Sequence, residues 1–167
     1  MNGFTENRAS GASERPGRND LVLTWGASHA MLPLVGRIAR DVVRYHQRLA
    51  ALQPERSRLE RARRELDWPQ RARRYQLQEE IVALEKELLA ALAELEALGL
   101  ALLDGPLGLV GFPTLVNDRR AYFSWQAGEE SLEFWNYAGD TVRRPVPASW
   151  TKTPRERSRK GKPKSQA

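Results

Sequence analysis

The chain has 167 residues, 41% of them hydrophobic and 29% charged, with no cysteine and a formal net charge of +6. A chain of this length accommodates one domain with a modest core, and without cysteine it has no disulfides, thiolate metal sites or cysteine nucleophiles, which fits a reducing, cytoplasmic setting. No apolar run approaches the roughly 20 residues that span a bilayer, so we expect no membrane insertion.

The two ends of the chain differ in composition from its middle. Residues 1–20 are polar and show no hydrophobic periodicity, and residues 151–167 are similar, so both ends are expected to be disordered. The second of these segments carries seven basic residues and one acidic residue, which accounts for the whole net charge of +6. The sequence therefore predicts a single neutral domain over residues 21–150, followed by a disordered basic tail.

A long helix is the first predicted element, and Thr24 is placed to cap it. Apolar residues recur at alternating steps of four and three over residues 31–52, and the same register continues through Leu59 and Leu66. Such a seam packs on a partner helix. Pro54 lies inside the pattern, where its ring removes one backbone hydrogen bond. We expect a kink there, with a split into two helices as the alternative.

The second predicted helix has start and stop residues of its own. Apolar residues recur with the same spacing over residues 77–98. Asp67 precedes a first turn that contains Pro69, and Gln70 stands at the position that completes a capping box. Gly99 supplies the left-handed residue that ends a helix.

Charge indicates how the two helices are arranged. Residues 37–74 have a net charge of +7, and residues 75–104 have a net charge of −6. A basic helix joined to an acidic one by a short turn predicts an antiparallel, coiled-coil-like helical hairpin. Exposed ion pairs contribute little, so the charges select the pairing while the apolar seam stabilises it.

Beyond residue 99 the hydrophobic period becomes that of strands. The predicted strands are Leu100–Leu103, Leu109–Phe112, Ala121–Gln126 and Leu132–Tyr137. Residues 127–130 form the loop of the last hairpin. The fold class is therefore α+β, a long antiparallel helical hairpin followed by a small antiparallel β-sheet.

The last hairpin is rich in aromatic residues, and two interpretations of it stay open. Strand alternation puts Phe123 and Trp125 on one face and Ser124 on the other. We favour packing of the apolar face against the helices, because aromatic side chains supply core area densely. The alternative is a small-ligand or partner site. Its candidate residues are Tyr122, Ser124, Trp135, Asn136, Tyr137, Arg143 and Arg144.

Several motifs in this half of the chain resemble a bacterial family catalogued as domain of unknown function 2203. They are Gly-Leu-Val-Gly-Phe-Pro at residues 108–113, Trp-Gln-Ala-Gly-Glu at 125–129, Trp-Asn at 135–136 and Arg-Arg-Pro at 143–145. The resemblance covers roughly residues 23–147 and implies no established activity.

The departures from that family pattern concern polar residues. The resemblance implies Asp at the position of Gly111, Cys at Ser124, and His followed by Glu at Asn136 and Tyr137. Those residue types can build a metal or acid–base site. Because this chain has lost most of them, we expect no metal, no cofactor and no catalytic residue.

Positive charge raises a further possibility, non-specific binding of nucleic acid by counterion release. The candidates in the tail are Lys152, Arg155, Arg157, Arg159, Lys160, Lys162 and Lys164. Those at the turn of the helical hairpin are Arg61, Arg64, Arg71 and Arg74. The simpler interpretation is a solubilising tail and a solvated helix face.

These observations favour a non-catalytic protein-interaction module over an enzyme. Two helices that each bury one stripe, with a small sheet, leave a small core, so we expect a homo-oligomer or a protein partner. Association is predicted through the aromatic face of the sheet or through an unfilled seam of the hairpin. An enzyme or small-ligand site on the sheet is the alternative.

Overall fold

In a computed structural model, residues 20–152 are described, and they form two long helices followed by a five-stranded antiparallel sheet. The helices are α1 (Trp25–Arg61) and α2 (Trp68–Ala97). The strands are β1 (Ala101–Asp104), β2 (Leu109–Val116), β3 (Arg119–Gln126), β4 (Phe134–Tyr137) and β5 (Arg144–Pro145), and they lie side by side in chain order. The disorder predicted for the two ends falls almost entirely outside the described residues.

Helix α1 begins where the sequence predicts. The Thr24 hydroxyl accepts a hydrogen bond from the backbone N–H of Ala27 at 3.2 Å. The helix then continues to Arg61 as one element of 37 residues that includes Pro54, so it is not split there. The predicted register runs too far at its end, because Leu66 lies in the turn between the helices. Its side chain is nevertheless buried, since the turn folds it back onto the seam.

Helix α2 is bounded by the residues predicted for its two ends. The Asp67 carboxylate accepts from the Gln70 N–H at 2.9 Å, and the Gln70 side chain accepts from the Asp67 N–H at 3.1 Å. This reciprocal pair is the predicted capping box. Gly99 follows the helix with φ of +75°, which confirms the left-handed terminator.

The two helices form an antiparallel hairpin that extends beyond the sheet. Ion pairs cross the seam in antiparallel order, joining Arg48 to Glu80, Glu55 to Arg73 and Glu60 to Arg74. Away from the sheet a separate apolar cluster fills the seam, made of Leu59, Leu66, Leu77 and Ile81. Because this cluster is buried, the apolar side chains on the inside of the hairpin pack against each other and leave little apolar surface exposed there.

One face of the sheet packs on the base of the hairpin, and we call it the inner face. The strand register aligns Val110 with Trp125, and Phe112 with Phe123 and Trp135. These side chains belong to the main core, together with residues of α1 and α2 such as Val35, Ile38, Val42 and Leu95. The opposite side, which carries Tyr122 and Ser124, is the outer face.

Strand β2 is longer than predicted, because it continues through Pro113 instead of ending before it. The Pro113 carbonyl accepts from the N–H of Leu23 at 2.7 Å. The carbonyl and the nitrogen of one strand residue point to the same edge, so the missing N–H of Pro113 faces away from β3 and interrupts no bond to it. β2 therefore reaches Val116, where Asn117 and Asp118, both at positive φ, form a two-residue turn into β3.

Other strand boundaries also differ from the prediction, since β1 is shifted by one residue and β3 begins two residues earlier, at Arg119. β4 begins at Phe134 rather than Leu132, because the chain before it is irregular and the Leu132 carbonyl accepts instead from the indole N–H of Trp25 at 2.8 Å. β5, of two residues, was not predicted. A strand that short has no hydrophobic period by which a sequence could indicate it.

Candidate functional site

The predicted ligand-site residues are divided between the two faces of the sheet. The register pairs Tyr122 with Asn136 and Ser124 with Phe134, which places them all on the outer face. Trp135 pairs with Phe123 and therefore lies on the inner face, as does Tyr137 opposite Ala121. Tyr122 therefore lies on the opposite face of the sheet from Trp135 and Tyr137. A five-stranded sheet separates the two groups.

On the inner face the aromatic residues form core contacts. Trp135 lies 5.0 Å from Tyr137 and 5.5 Å from Trp150, measured between ring centroids. The Arg144 guanidinium is 5.4 Å from the Trp135 ring and is paired with Asp140 at 2.9 Å. Trp150 packs against Phe123 and Trp135 at this end of the inner face. The inner-face candidates therefore stabilise the fold.

The outer face is organised around the guanidinium group of Arg143. Its Nε donates to the Ser124 hydroxyl at 3.1 Å, and Nη2 donates to the Ser124 carbonyl at 2.9 Å. Nη1 and Nη2 also bind the two carboxylate oxygens of Glu129 at 2.7 and 2.8 Å. The group lies 4.5 Å from the Phe134 ring centroid. A planar, forked donor is required for this arrangement, which joins the β3–β4 loop to the segment before β5.

Glu129 is ionised in this cluster. Burial alone raises the pKa of Glu129, but hydrogen bonds from Arg143 and from the Gln126 N–H, with the positive charge of Arg143, outweigh it and lower the pKa below the ordinary 4.5. Glu129 is thus the anionic half of a clamp, with a pKa displaced away from the range that general acid catalysis requires.

Buried polar groups next to the clamp are used for structure. Ser124 is fully buried and its oxygen accepts from Arg143, a cation that cannot remove a proton from the hydroxyl. Asn136 is 5% exposed, and its amide nitrogen donates to the carbonyls of Tyr137 and Asp140 at 3.1 and 3.0 Å. The amide thus fixes the turn after β4.

Three positions at which the family resemblance implies metal- or acid–base-type residues lie on this same face. Gly111, Ser124 and Asn136 occupy adjacent strands β2, β3 and β4. A Cβ atom on Gly111 would lie 2.8 Å from Cδ1 of Tyr122, so the glycine leaves room for that ring. Within residues 20–152, no three acidic or histidine side chains are grouped so as to hold a metal ion.

The ionisation of Glu129 predicts a pH dependence of stability. Because its folded-state pKa is lowered, the clamp stabilises the fold fully above pH 4.5, and the contribution is lost as pH falls through the folded pKa. The stability advantage of the wild type over Glu129→Gln should therefore shrink between about pH 6 and about pH 3. Urea denaturation of both proteins across this range measures it.

The wild type and Glu129→Gln differ at one residue, so the titration of all other groups cancels in the difference between their stabilities. The pKa of Asp140 is also lowered, by the N–H of Val142 and then by Arg144, but it titrates equally in both proteins. A stability difference that stays constant as the solution is acidified would contradict the role assigned to Glu129.

The nucleic-acid candidates at the hairpin turn are partly engaged within the protein. Arg61 and Arg71 each donate through Nε to a nearby backbone carbonyl. Arg74 forms an ion pair with Glu60, and Arg64 is exposed. In the tail, Lys152 is exposed and the other six candidates lie outside the described residues, namely Arg155, Arg157, Arg159, Lys160, Lys162 and Lys164. Nucleic-acid binding stays a prediction.

A surface that was not predicted from the sequence runs along α2 outside the buried seam, and one of its residues, Tyr75, also borders a cavity with Leu59 and Glu60 of α1. Trp68, Tyr75, Val82 and Leu89 are 78%, 66%, 51% and 66% exposed. They are spaced by seven residues, nearly two helical turns, so they form one line, which we call the outward stripe. The seven-residue spacing could have indicated this stripe in the sequence. It was overlooked because the apolar residues of the inner seam give the same helix a stronger periodic pattern.

Comparisons with known proteins agree with the motif-based resemblance. The model of a family described as Uncharacterized conserved protein (DUF2203) matches residues 22–146. This range contains both helices and all five strands. No curated protein and no solved structure matches the chain. None of the described helices combines the length and apolar character needed to cross a membrane.

Proposed function

This chain belongs to the DUF2203 family, which is described without an activity. From the geometry of its helices, we propose that it is a non-catalytic module that self-associates through the outward stripe of α2. The stripe is the observation that carries the proposal. Four large apolar side chains, at least half exposed, lie in one line along the helix. Seven-residue spacing is the pattern by which helices pack on one another.

Exposure of this stripe has a free-energy cost that association removes. Single exposed apolar residues are ordinary, but an aligned set of large ones marks an interaction surface. Trp and Tyr, which form half of the stripe, are the residue types enriched at protein interfaces. The inside of the hairpin and the inner face of the sheet are already packed within the chain, so they offer less apolar surface to a partner than the stripe does.

The alternative of an enzyme or small-ligand site on the sheet has less support. Of its polar candidates on the outer face, Ser124 and Arg143 bond to each other, and Arg143 uses four hydrogen bonds on Ser124 and Glu129. The Asn136 amide nitrogen bonds to backbone carbonyls, while its buried side-chain oxygen accepts no hydrogen bond from a described residue. The inner-face candidates are covered by Trp150 and the helices. Within the described residues, the outer-face cluster around Arg143 therefore offers no unpaired charged side chain that could bind a substrate.

Sedimentation equilibrium tests the proposal. The wild-type protein should have a mass above that of the monomer at about 100 μM, whereas Tyr75→Ser with Leu89→Ser should stay monomeric and equally helical, because neither residue is a member of a buried apolar cluster. A matched control replaces Leu107 and Val142, which are also exposed but lie outside α2, with Ser. A monomeric wild type, or equal masses for both double variants, would contradict self-association through the stripe.

A further inference from the structure

The partner of the outward stripe must offer an apolar helical surface of similar length. Among the described residues, α1 exposes one large apolar side chain, Leu34, and the large apolar residues exposed outside the two helices are Leu21, Val22, Leu107 and Val142. None of these forms a line on a helix, whereas a second α2 offers the required four. We infer that α2 of one copy pairs antiparallel with α2 of a second copy about a two-fold axis near Val82, an inference that rests on the proposed self-association.

Charge selects the antiparallel orientation. Glu79 and Lys86 are exposed, lie before and after Val82 on the same side of α2, and form no ion pair with a described residue. In an antiparallel pair Glu79 of each copy faces Lys86 of the other, which gives two opposite-charge contacts. In a parallel pair, the edge of the stripe that carries Glu79 and Lys86 faces the opposite edge of the partner's stripe. Glu79 of one copy therefore does not meet Lys86 of the other.

Side-chain size and the position of the sheet favour the same orientation. About an axis near Val82, Trp68 of one copy lies beside the small Ala93 and Ala97 of the other, whereas a parallel pair would bring two exposed Trp68 rings together. The sheet follows the C-terminal end of α2, so antiparallel copies place their sheets at opposite ends. Parallel copies would place both sheets at the same end, where they compete for space. A pair related by a two-fold axis is closed, so it forms a dimer rather than a filament.

Because the chain has no cysteine, orientation can be measured by cross-linking. Ala72→Cys and Ala93→Cys are prepared separately and treated with a short bismaleimide, alone and after mixing. In the antiparallel dimer, the thiol introduced at position 72 of one copy is close to the thiol introduced at position 93 of the other. Two thiols at the same position are about 30 Å apart at 1.5 Å per residue. Cross-linked dimer should therefore appear in the mixture and not in either variant alone.

Charge reversal tests the contact that specifies the pairing. Glu79→Lys and Lys86→Glu should each weaken dimerisation about tenfold, because each introduces two like-charge contacts in the two-fold dimer. The double variant, Glu79→Lys with Lys86→Glu, should return the dissociation constant to near the wild-type value. All three variants alter exposed positions, so circular dichroism should show unchanged helix content.

The outcomes separate this inference from the proposed function. A dimer that depends on Tyr75 and Leu89 but cross-links within each single-cysteine variant would overturn the antiparallel arrangement and leave self-association intact. Failure of the double charge reversal to restore dimerisation would overturn the assigned contact. A wild type that is monomeric at about 100 μM would overturn both the inference and the proposed function.

Discussion

Phe112→Ala should lower the free energy of unfolding by about 4 kcal/mol. Phe112 is the largest fully buried side chain of the described residues, and it packs at the centre of the inner face beside Phe123. Truncation removes the transfer free energy of the ring and leaves a cavity between β2 and the hairpin, which the long helices cannot collapse to fill. Urea denaturation monitored by circular dichroism gives the value.

Phe134→Ala is the matched control, on the outer face of β4, which is separated from β2 by β3. Phe134 is only half-buried beneath the Arg143 guanidinium, so its loss should cost about 2 kcal/mol or less. The comparison tests whether the inner face is core or a ligand cleft. Were Phe112→Ala to cost less than Phe134→Ala, the inner face could not be the main core.

Arg143→Ala should destabilise the protein by about 3 kcal/mol. The substitution removes four hydrogen bonds and leaves the partly buried carboxylate of Glu129 without its cation, together with the buried oxygens of Ser124. Arg143→Lys should recover less than half of this loss, because an ammonium group cannot span both partners as the guanidinium does. Equilibrium unfolding of the purified variants measures both values.

Arg144 provides the control for that experiment, since it is the next residue and has the same side chain. Its ion pair with Asp140 is more exposed than the pair formed by Arg143, so Arg144→Ala should cost less than about 1 kcal/mol. Equal losses for Arg143→Ala and Arg144→Ala would show that the outer-face clamp has no special role. In that case the polar groups beneath Arg143 would be available for another partner.

The core and clamp variants differ from the stripe variants in what they should change. Phe112 and Arg143 hold the domain together, so their replacement should lower stability at any protein concentration. Tyr75 and Leu89 are exposed and belong to neither buried apolar cluster, so their replacement should change the mass and leave the stability of the monomer close to that of the wild type. This separation is expected if α2 has two independent apolar surfaces.

The sequence by itself determined those elements that depend on near neighbours. The Thr24 and Asp67 caps, the Gly99 terminator and the two helices were predicted with their ends within a few residues, because caps and helical periodicity arise from contacts three or four residues apart. The antiparallel hairpin was also predicted, since opposite net charges and a short turn leave few alternatives. Family membership followed from short motifs in the strands.

Only the tertiary structure decided what the sheet and the far side of α2 do. The register across β3 and β4 separates Ser124 from Trp135, and it depends on turns and pairings between distant residues rather than on local pattern. The partnership of Arg143 with Glu129 joins residues from two loops, which no spacing rule indicates. Exposure of Tyr75 depends on where α1 lies, because a helix with apolar residues on two sides can bury either one until its neighbour is placed.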